Sequence, residues 1–287
     1  MPAVGEQGRP GPHRSGRDAP TVAQIAMALN EWYPPSWAEP WDRVGLVLGE
    51  PSERVSRVLL AVDVVPETAA EAIAVGAQLV VAHHPLLLRG VSSVAPTTYK
   101  GRIVHQLIRG SVALFVAHTN ADVANPGVSD ALATRLGLRE LRPLCPAEGA
   151  AAGGGRGFGR IGELPEELSL EEFAAMAAAA LPDTAVGVRA AGDLKRRVRT
   201  AAVSGGAGDG FLDHVKAAGV DVYLTADLRH HPVSEHLAEG GPALLDAAHW
   251  ATEHPWLDLA AQQIAAEFDV ETVVSGINTD PWNLRAV

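Results

Sequence analysis

Apolar residues recur at helical spacing in Val22, Ile25, Ala26 and Leu29, directly behind a Thr21 able to cap the helix. Past a Pro- and Trp-rich stretch (Trp32 to Trp41) the pattern changes to short apolar runs bounded by turn residues. Arg57–Asp63 and Gln78–Ala82 each suit a buried strand. Between them Pro66, whose missing N–H costs nothing at a helix start, opens a helix that Gly76 closes. Strand, helix, strand at this spacing predicts a βαβ unit and a parallel sheet. Val112–Ala117 is a further, very apolar strand.

The same form returns later in the chain. Arg199–Ser204 reads as a strand, Gly210–Ala218 as a helix and Val220–Thr225 as a strand. The first unit ends in His83-His84-Pro85 and the second in His230-His231-Pro232, which predicts an internal repeat and two related α/β halves with largely parallel sheets. Between them Pro146–Gly159 is rich in Ala and Gly and reads as a linker. Ser169-Leu-Glu-Glu172 spells a capping box before an alanine-rich helix reaching Leu181. A strand at Ala243–Ala247, a helix from Glu253 to Phe268 and a strand at Glu271–Ser275 complete the pattern.

Composition narrows the function classes. The 287 residues fit one large domain or two ordinary ones. Lys+Arg 23 against Asp+Glu 34 gives a net charge of −11, which argues against a nucleic-acid binder with its usual basic face. No apolar run approaches the ~20 residues of a membrane helix. Residues 1–20 are polar, with no apolar core of a secretory signal, and read as a disordered tail. The single cysteine, Cys145, excludes an internal disulfide framework and a Cys-rich zinc site, and as a linker residue with no base nearby in sequence it is a poor catalytic thiol. A soluble, cytoplasmic, acidic protein is expected.

Four polar clusters fall just past strands: His83-His84, His118-Thr-Asn-Ala-Asp122, Asp227 to His231, and His249-Trp-Ala-Thr-Glu253. Open α/β sheets bind ligands beyond the carboxyl ends of their strands, so this is where a site belongs. Adjacent histidines leaving a strand point differently and can serve two ions or two sides of a cavity; the alternative is a hydrogen-bonded pair. Asp122 offers two oxygens able to bridge cations, or it completes a turn with Asn120. His249 and Glu253 share a face if helical, whereas Pro255 suggests a helix starting near Thr252 with His249 in the loop before it. Jointly, His83, His84, Asp122, His249 and Glu253 form a nitrogen–oxygen set suited to zinc, iron, manganese or nickel, and five ligands point to two ions rather than one. Two glycine motifs complete the survey. Gly157–Gly162 matches the dinucleotide fingerprint in letters, but no apolar helix follows. Ser204, Gly205, Gly206 and Gly208 lie between a strand and a helix and form a candidate phosphate loop without the P-loop Lys, or simply a tight turn.

In order, Trp41–Leu46, Val81–Pro85, Ala117–Asp122, Gly157–Gly162, Ser204–Gly208, Thr225–Asp227 and Asp246–Glu253 resemble the Nif-three-like, dinuclear metal centre, hexameric protein family, also named GTP cyclohydrolase I type 2 homologs. The resemblance runs from Thr21 to Val287. It implies a two-domain α/β subunit, with residues 21–140 and 245–287 forming the metal-binding domain and 141–244 the second. It also implies a toroidal homohexamer and two metal ions held by His83, His84, Asp122, His249 and Glu253. The short stretch near Ala150 leaves no room for the extra domain some members carry there. Arg43 stands where the family pattern has Asn, and His230 and Pro232 where it has an aromatic and an acidic residue. The expected activity is metal-dependent hydrolysis of a nucleotide-like substrate, with His118 or His231 as acid–base or orienting groups. A metal chaperone or store, and a regulatory ring acting through partners, are the alternatives.

Overall fold

The computed structural model describes residues 19–148 and 155–286. Its first half runs α1 (Val22–Trp32), β1 (Gly45–Leu48), β2 (Arg57–Ala61), α2 (Pro66–Ala74), β3 (Leu79–Ala82), α3 (Tyr99–Arg109), β4 (Ala113–Val116), α4 (Thr119–Val123), α5 (Val128–Arg135) and β5 (Arg139–Pro146). A long strand, β6 (Gly157–Ser169), leads into the second half. There follow α6 (Leu170–Ala180), β7 (Val188–Ala191), β8 (Arg197–Ala207), α7 (Leu212–Ala218), β9 (Val222–Ala226), α8 (His230–Ala238), β10 (Ala243–Ala247), α9 (His249–Glu253), α10 (Pro255–Glu267) and β11 (Glu271–Val274). Setting β6 aside, the two halves have the same element order.

The sheets repeat the same plan. One runs β1-β4-β3-β2-β11 and the other β7-β10-β9-β8-β6-β5. In each, three consecutive strands pair in parallel, and the strand preceding them pairs antiparallel with the third. The last strand of each half leaves its own sheet. β11 lies parallel beside β2 of the first half, and β5 pairs with β6 at the edge of the second sheet.

Alternation along the strands divides the core. Val58, Leu60, Val81 and Phe115 face a central cluster shared with Val203, Val222, Leu224 and Leu245 of the other sheet and with α1, α5, α6 and α10. The residues between them, such as Leu59, Val80 and Leu114, pack under α2 and α3, while Ala202, Tyr223 and Leu244 pack under α7. Strands buried on both faces read as continuous apolar runs, which is why these are visible in the sequence. Capping does the rest at two helix starts. Thr21 accepts from the Gln24 amide while the Gln24 side chain accepts from Thr21, and Ser169 and Glu172 repeat the arrangement.

Three expectations are corrected. The Pro146–Gly159 linker does not extend to Gly157, because a hairpin forms: β5 pairs with β6 from Pro146↔Gly157 to Arg139↔Glu163, and residues 149–154 of it lie outside the described residues. Cys145 is therefore a strand residue, and burial pushes its thiol up to about 11. Pro255 does not sit in the first turn of a helix starting near Thr252; α9 already begins at His249, and Pro255 opens α10 immediately after it. Of the expected tail, residues 1–18 lie outside the described residues, while Ala19 and Pro20 accept hydrogen bonds from Arg54 and the Val55 amide.

Candidate metal centre

Parallel pairing carries the chain past β3 and aims it at the site. The His83 amide donates to Ala61 O and that of His84 to Val62 O, extending the ladder by two residues. Past β4 and β10, one short helix each presents a His and an acid four residues apart, His118/Asp122 and His249/Glu253. The repeat thus brings two equivalent pairs to the histidines of β3.

These groups converge. Glu253 Oε1 lies 3.4 Å from His83 Nε2 and 3.0 Å from His249 Nε2, and its Oε2 lies 3.0 Å from His84 Nε2. Asp122 Oδ1 stands 3.7 Å from His83 Nε2. The adjacent histidines do point differently, and they straddle one carboxylate. All five residues named as ligands in the sequence come together. His118 joins them: its ligand atom lies within 4.8 Å of those of His83 and His84, and a second group of the same tightness comprises His84, His249 and Glu253. His231 does not join. It is exposed at the start of α8, where its ring packs edge-on against His230.

Every histidine of the cluster is oriented from behind. Nδ1 of His84 donates to Asp63 (2.8 Å), that of His118 to Asp42 (2.9 Å), that of His249 to Asp227 (2.7 Å) and that of His83 to Ala117 O (2.9 Å). Such an acceptor fixes the tautomer and leaves Nε2 free as a ligand. Asp63 is itself held by the Thr279 hydroxyl, and Asp42 by the amide and hydroxyl of Thr119. Asp227 holds a left-handed backbone (φ 58°), tolerated by Asp more than by most residues. Sequence reasoning assigns none of these three carboxylates a role. Their signals are position and motif: Asp63 and Asp227 end strands at the edge where the candidate ligands cluster, Asp227 opens one of the four polar clusters, and Asp42 and Asp227 fall in stretches that carry the family resemblance. Arg43 leaves the arrangement intact, because it contributes its main-chain N–H to Asp42, which any residue but proline supplies.

The buried acids and imidazoles of the cluster are strongly coupled. Burial raises the Asp122 carboxyl, and the charge of Glu253 raises it further, to about 7. Burial disfavours charge on His249, yet Glu253 and Asp227 push it up to about 10. Burial also opposes ionisation of Glu253, but His84, His83 and His249 hold it well below the carboxylate range. His83 Nε2 and Glu253 Oε2 are buried without a hydrogen-bond partner. Buried polar atoms are normally paired, so two orphans among four inward-facing imidazoles and two carboxylates fit a metal ion that both would ligate.

The glycine loop serves this centre in another way. The Gly206 amide donates to Thr252 Oγ1, and Ser204 Oγ bonds Tyr223 OH (2.6 Å) and Thr225 Oγ1 (2.9 Å). The Gly208 amide donates to Ala226 O. Three groups expected to cradle phosphate are thus already engaged. Gly205 and Gly206 pack against Glu253 instead. In Gly157–Gly162, Arg160 is buried and bonds Asp130 and the carbonyls of Gly157, Gly159 and Ala124, so that motif is a structural strand.

Fold and site together define an α/β protein of two related halves, with a histidine–carboxylate group able to hold a metal ion at the carboxyl ends of its strands. Residues 20–281 match the Duf34/NIF3 (NGG1p interacting factor 3) family, and the chain belongs to it. It is similar to a Streptomyces coelicolor protein named GTP cyclohydrolase 1 type 2 homolog, 55% identical over 268 residues covering 92% of this chain and 94% of that one. A Mycobacterium tuberculosis protein of the same name is 37% identical, with 92% and 97% covered. Among solved structures, a Bacillus cereus protein related to NIF3 superposes with a TM-score of 0.83 at 25% identity, covering 92% of this chain and 99% of that one. Among the described residues no helix is long and apolar enough to cross a membrane.

Proposed function

We propose that this protein is a metal-dependent hydrolase of a nucleotide-like substrate, working with two divalent ions. The observation that carries the reading is Glu253, a buried carboxylate whose two oxygens face three imidazoles at 3.0–3.4 Å. Divalent ions supply Lewis-acid polarisation and make water acidic enough to ionise near neutral pH. His83, His84, His249, Asp122 and Glu253 would hold them, with His118 as a sixth candidate. Asp42, Asp63 and Asp227 keep the imidazoles aimed, so the ligands need little reorganisation. Asp122 Oδ1, 3.7 Å from His83 Nε2, is placed to share an ion with that imidazole.

The name shared by the relatives supports a cyclohydrolase-type substrate, resemblance alone supports a toroidal homohexamer and a metal-binding domain of residues 21–140 and 245–287, and a cytoplasmic location rests on the composition and the polar first residues. The test begins with elemental analysis of untagged protein beside a His83→Ala/His84→Ala variant. About two transition-metal ions per chain, lost in a variant that still folds, support the centre and identify the metal for nucleotide-hydrolysis assays. A fully loaded protein that turns over no nucleotide, and hands its metal to an acceptor, would instead be a chaperone. Light scattering checks the hexamer separately.

A further inference from the structure

Once the metal centre accounts for His83 Nε2 and Glu253 Oε2, the orphaned buried carboxylate oxygen left among the described residues is Asp280 Oδ2. Asp280 is 8% exposed and lies on the segment after β11. Its neighbour Thr279 is tied through Asp63 to His84, so this segment is anchored to the back of the cluster. Asp280 also lines an 810 Å³ cleft whose walls include His84, His249, Trp282 and Arg285. A separate 450 Å³ cleft reaches His249 and Glu253 from the side of Trp41 and Phe211. The centre therefore opens on two sides, and the residue with the unpartnered oxygen lines the larger opening.

A carboxylate accepts hydrogen bonds and donates none when ionised, so Oδ2 calls for an N–H or O–H donor. The Trp282 amide donates to this carboxylate, and the charged groups around it are Asp227 and Asp63, which disfavour an anion, and His249, which has the opposite effect; the carboxylate's own charge turns away an anion without a donor. A phosphate therefore does not fit against it. Trp282 is 66% exposed beside it, a large flat face at the cleft. Aromatic faces stack planar rings.

We propose that Asp280 is a specificity-determining residue that receives the N–H edge of a planar nitrogen heterocycle, stacked on Trp282, whose far side reaches the metal centre. This rests on the hydrolase reading for the identity of the site, and selects the ring of the substrate over its phosphate as the part recognised here. Charge-assisted bonds to a buried carboxylate discriminate strongly, because a ligand lacking the donor leaves the oxygen unpaired or meets it with a lone pair.

The test is calorimetric binding to zinc-loaded protein of guanosine, inosine and adenosine 5′-monophosphates, which present two N–H donors, one, and a ring acceptor flanked by an amine. The expected order is guanosine first and adenosine last, about ten- to hundredfold apart. Asp280→Asn should erase most of that spread without changing metal content. Trp282→Ala, a surface change that spares folding, should weaken all three. Equal affinity of the three for the wild type, no binding of any, or a spread that survives in Asp280→Asn overturns the proposal. Turnover is read separately. Discriminating binding without hydrolysis removes the hydrolase reading and leaves Asp280; hydrolysis without discrimination does the reverse.

Discussion

A methyl group on Gly206 would sit 2.5 Å from Glu253 Oε1 and 3.1 Å from His249 Nε2, at a backbone φ of +67° that side chains rarely adopt. Glycine here is what lets β8 pass directly behind the carboxylate that faces three histidines. Gly206→Ala should displace Glu253, lowering metal content in elemental analysis, and destabilise the fold by about 1–2 kcal/mol in urea. A variant with full metal content would show that Glu253 tolerates the displacement and that the close approach is incidental.

The carboxylates behind the histidines should govern affinity rather than folding. Asp227→Asn and Asp63→Asn each keep shape but lose charge, and each should weaken metal binding about 10–100-fold in competition with a chelating dye. Circular dichroism should remain that of the wild type. Unchanged affinity in both would mean that the imidazoles are held by packing alone.

Arg160 and Asp130 form a buried pair joining β6 to α5, with Nη2–Oδ2 at 2.6 Å and Arg160 1% exposed. Arg160→Met strands the Asp130 carboxylate and should cost about 3–5 kcal/mol in denaturant unfolding. Adding Asp130→Leu should recover part of that loss, since the uncompensated charge is gone. Additive losses would indicate that the carbonyls of Gly157, Gly159 and Ala124 are what Arg160 serves.

Asp221 gives the fold a measurable acid sensitivity. Its carboxylate accepts from the amides of Arg199 and Thr200 and the Thr200 hydroxyl, pinning the start of β8 to β9. Burial opposes its charge, but the backbone bonds from Thr200 and Arg199 win and hold it below the usual range. A lowered folded-state pKa adds stability that is complete above the unfolded value of ~3.9 and fades as pH falls through the folded one. Asp221→Asn should be less stable than wild type by about 1 kcal/mol at neutral pH, with the gap closing below about pH 4. A gap of constant size from neutral to acid would refute this.

The sequence is most legible where one residue class does one job. The unbroken apolar runs Leu79–Ala82 of β3 and Ala113–Val116 of β4 mark strands buried on both faces, and the ligands stand out because His and acid residues sit just past them. The β5–β6 hairpin is hidden because Pro146, Gly157 and Gly159 carry turn chemistry, yet edge pairing and positive-φ glycines let them form a strand pair. The orienting role of Asp42, Asp63 and Asp227 is hidden for another reason. Each acts on a histidine distant in sequence, and no local periodicity records such a contact. Asp280 is hidden likewise, since its burial depends on how the segment after β11 folds back.

The exchange of last strands between the halves bears on how the protein is made. While only the first half has left the ribosome, β2 has no β11 beside it and β5 has no sheet to join. An open edge of that kind invites pairing with another nascent chain, a hazard that ends only when the C-terminal strand arrives. The candidate site is assembled in two stages: His83, His84 and His118 all belong to the first half, while the group of His84, His249 and Glu253 waits for the C-terminal residues. A chain that stops short of His249 keeps the three-histidine group but lacks the carboxylate that faces three imidazoles.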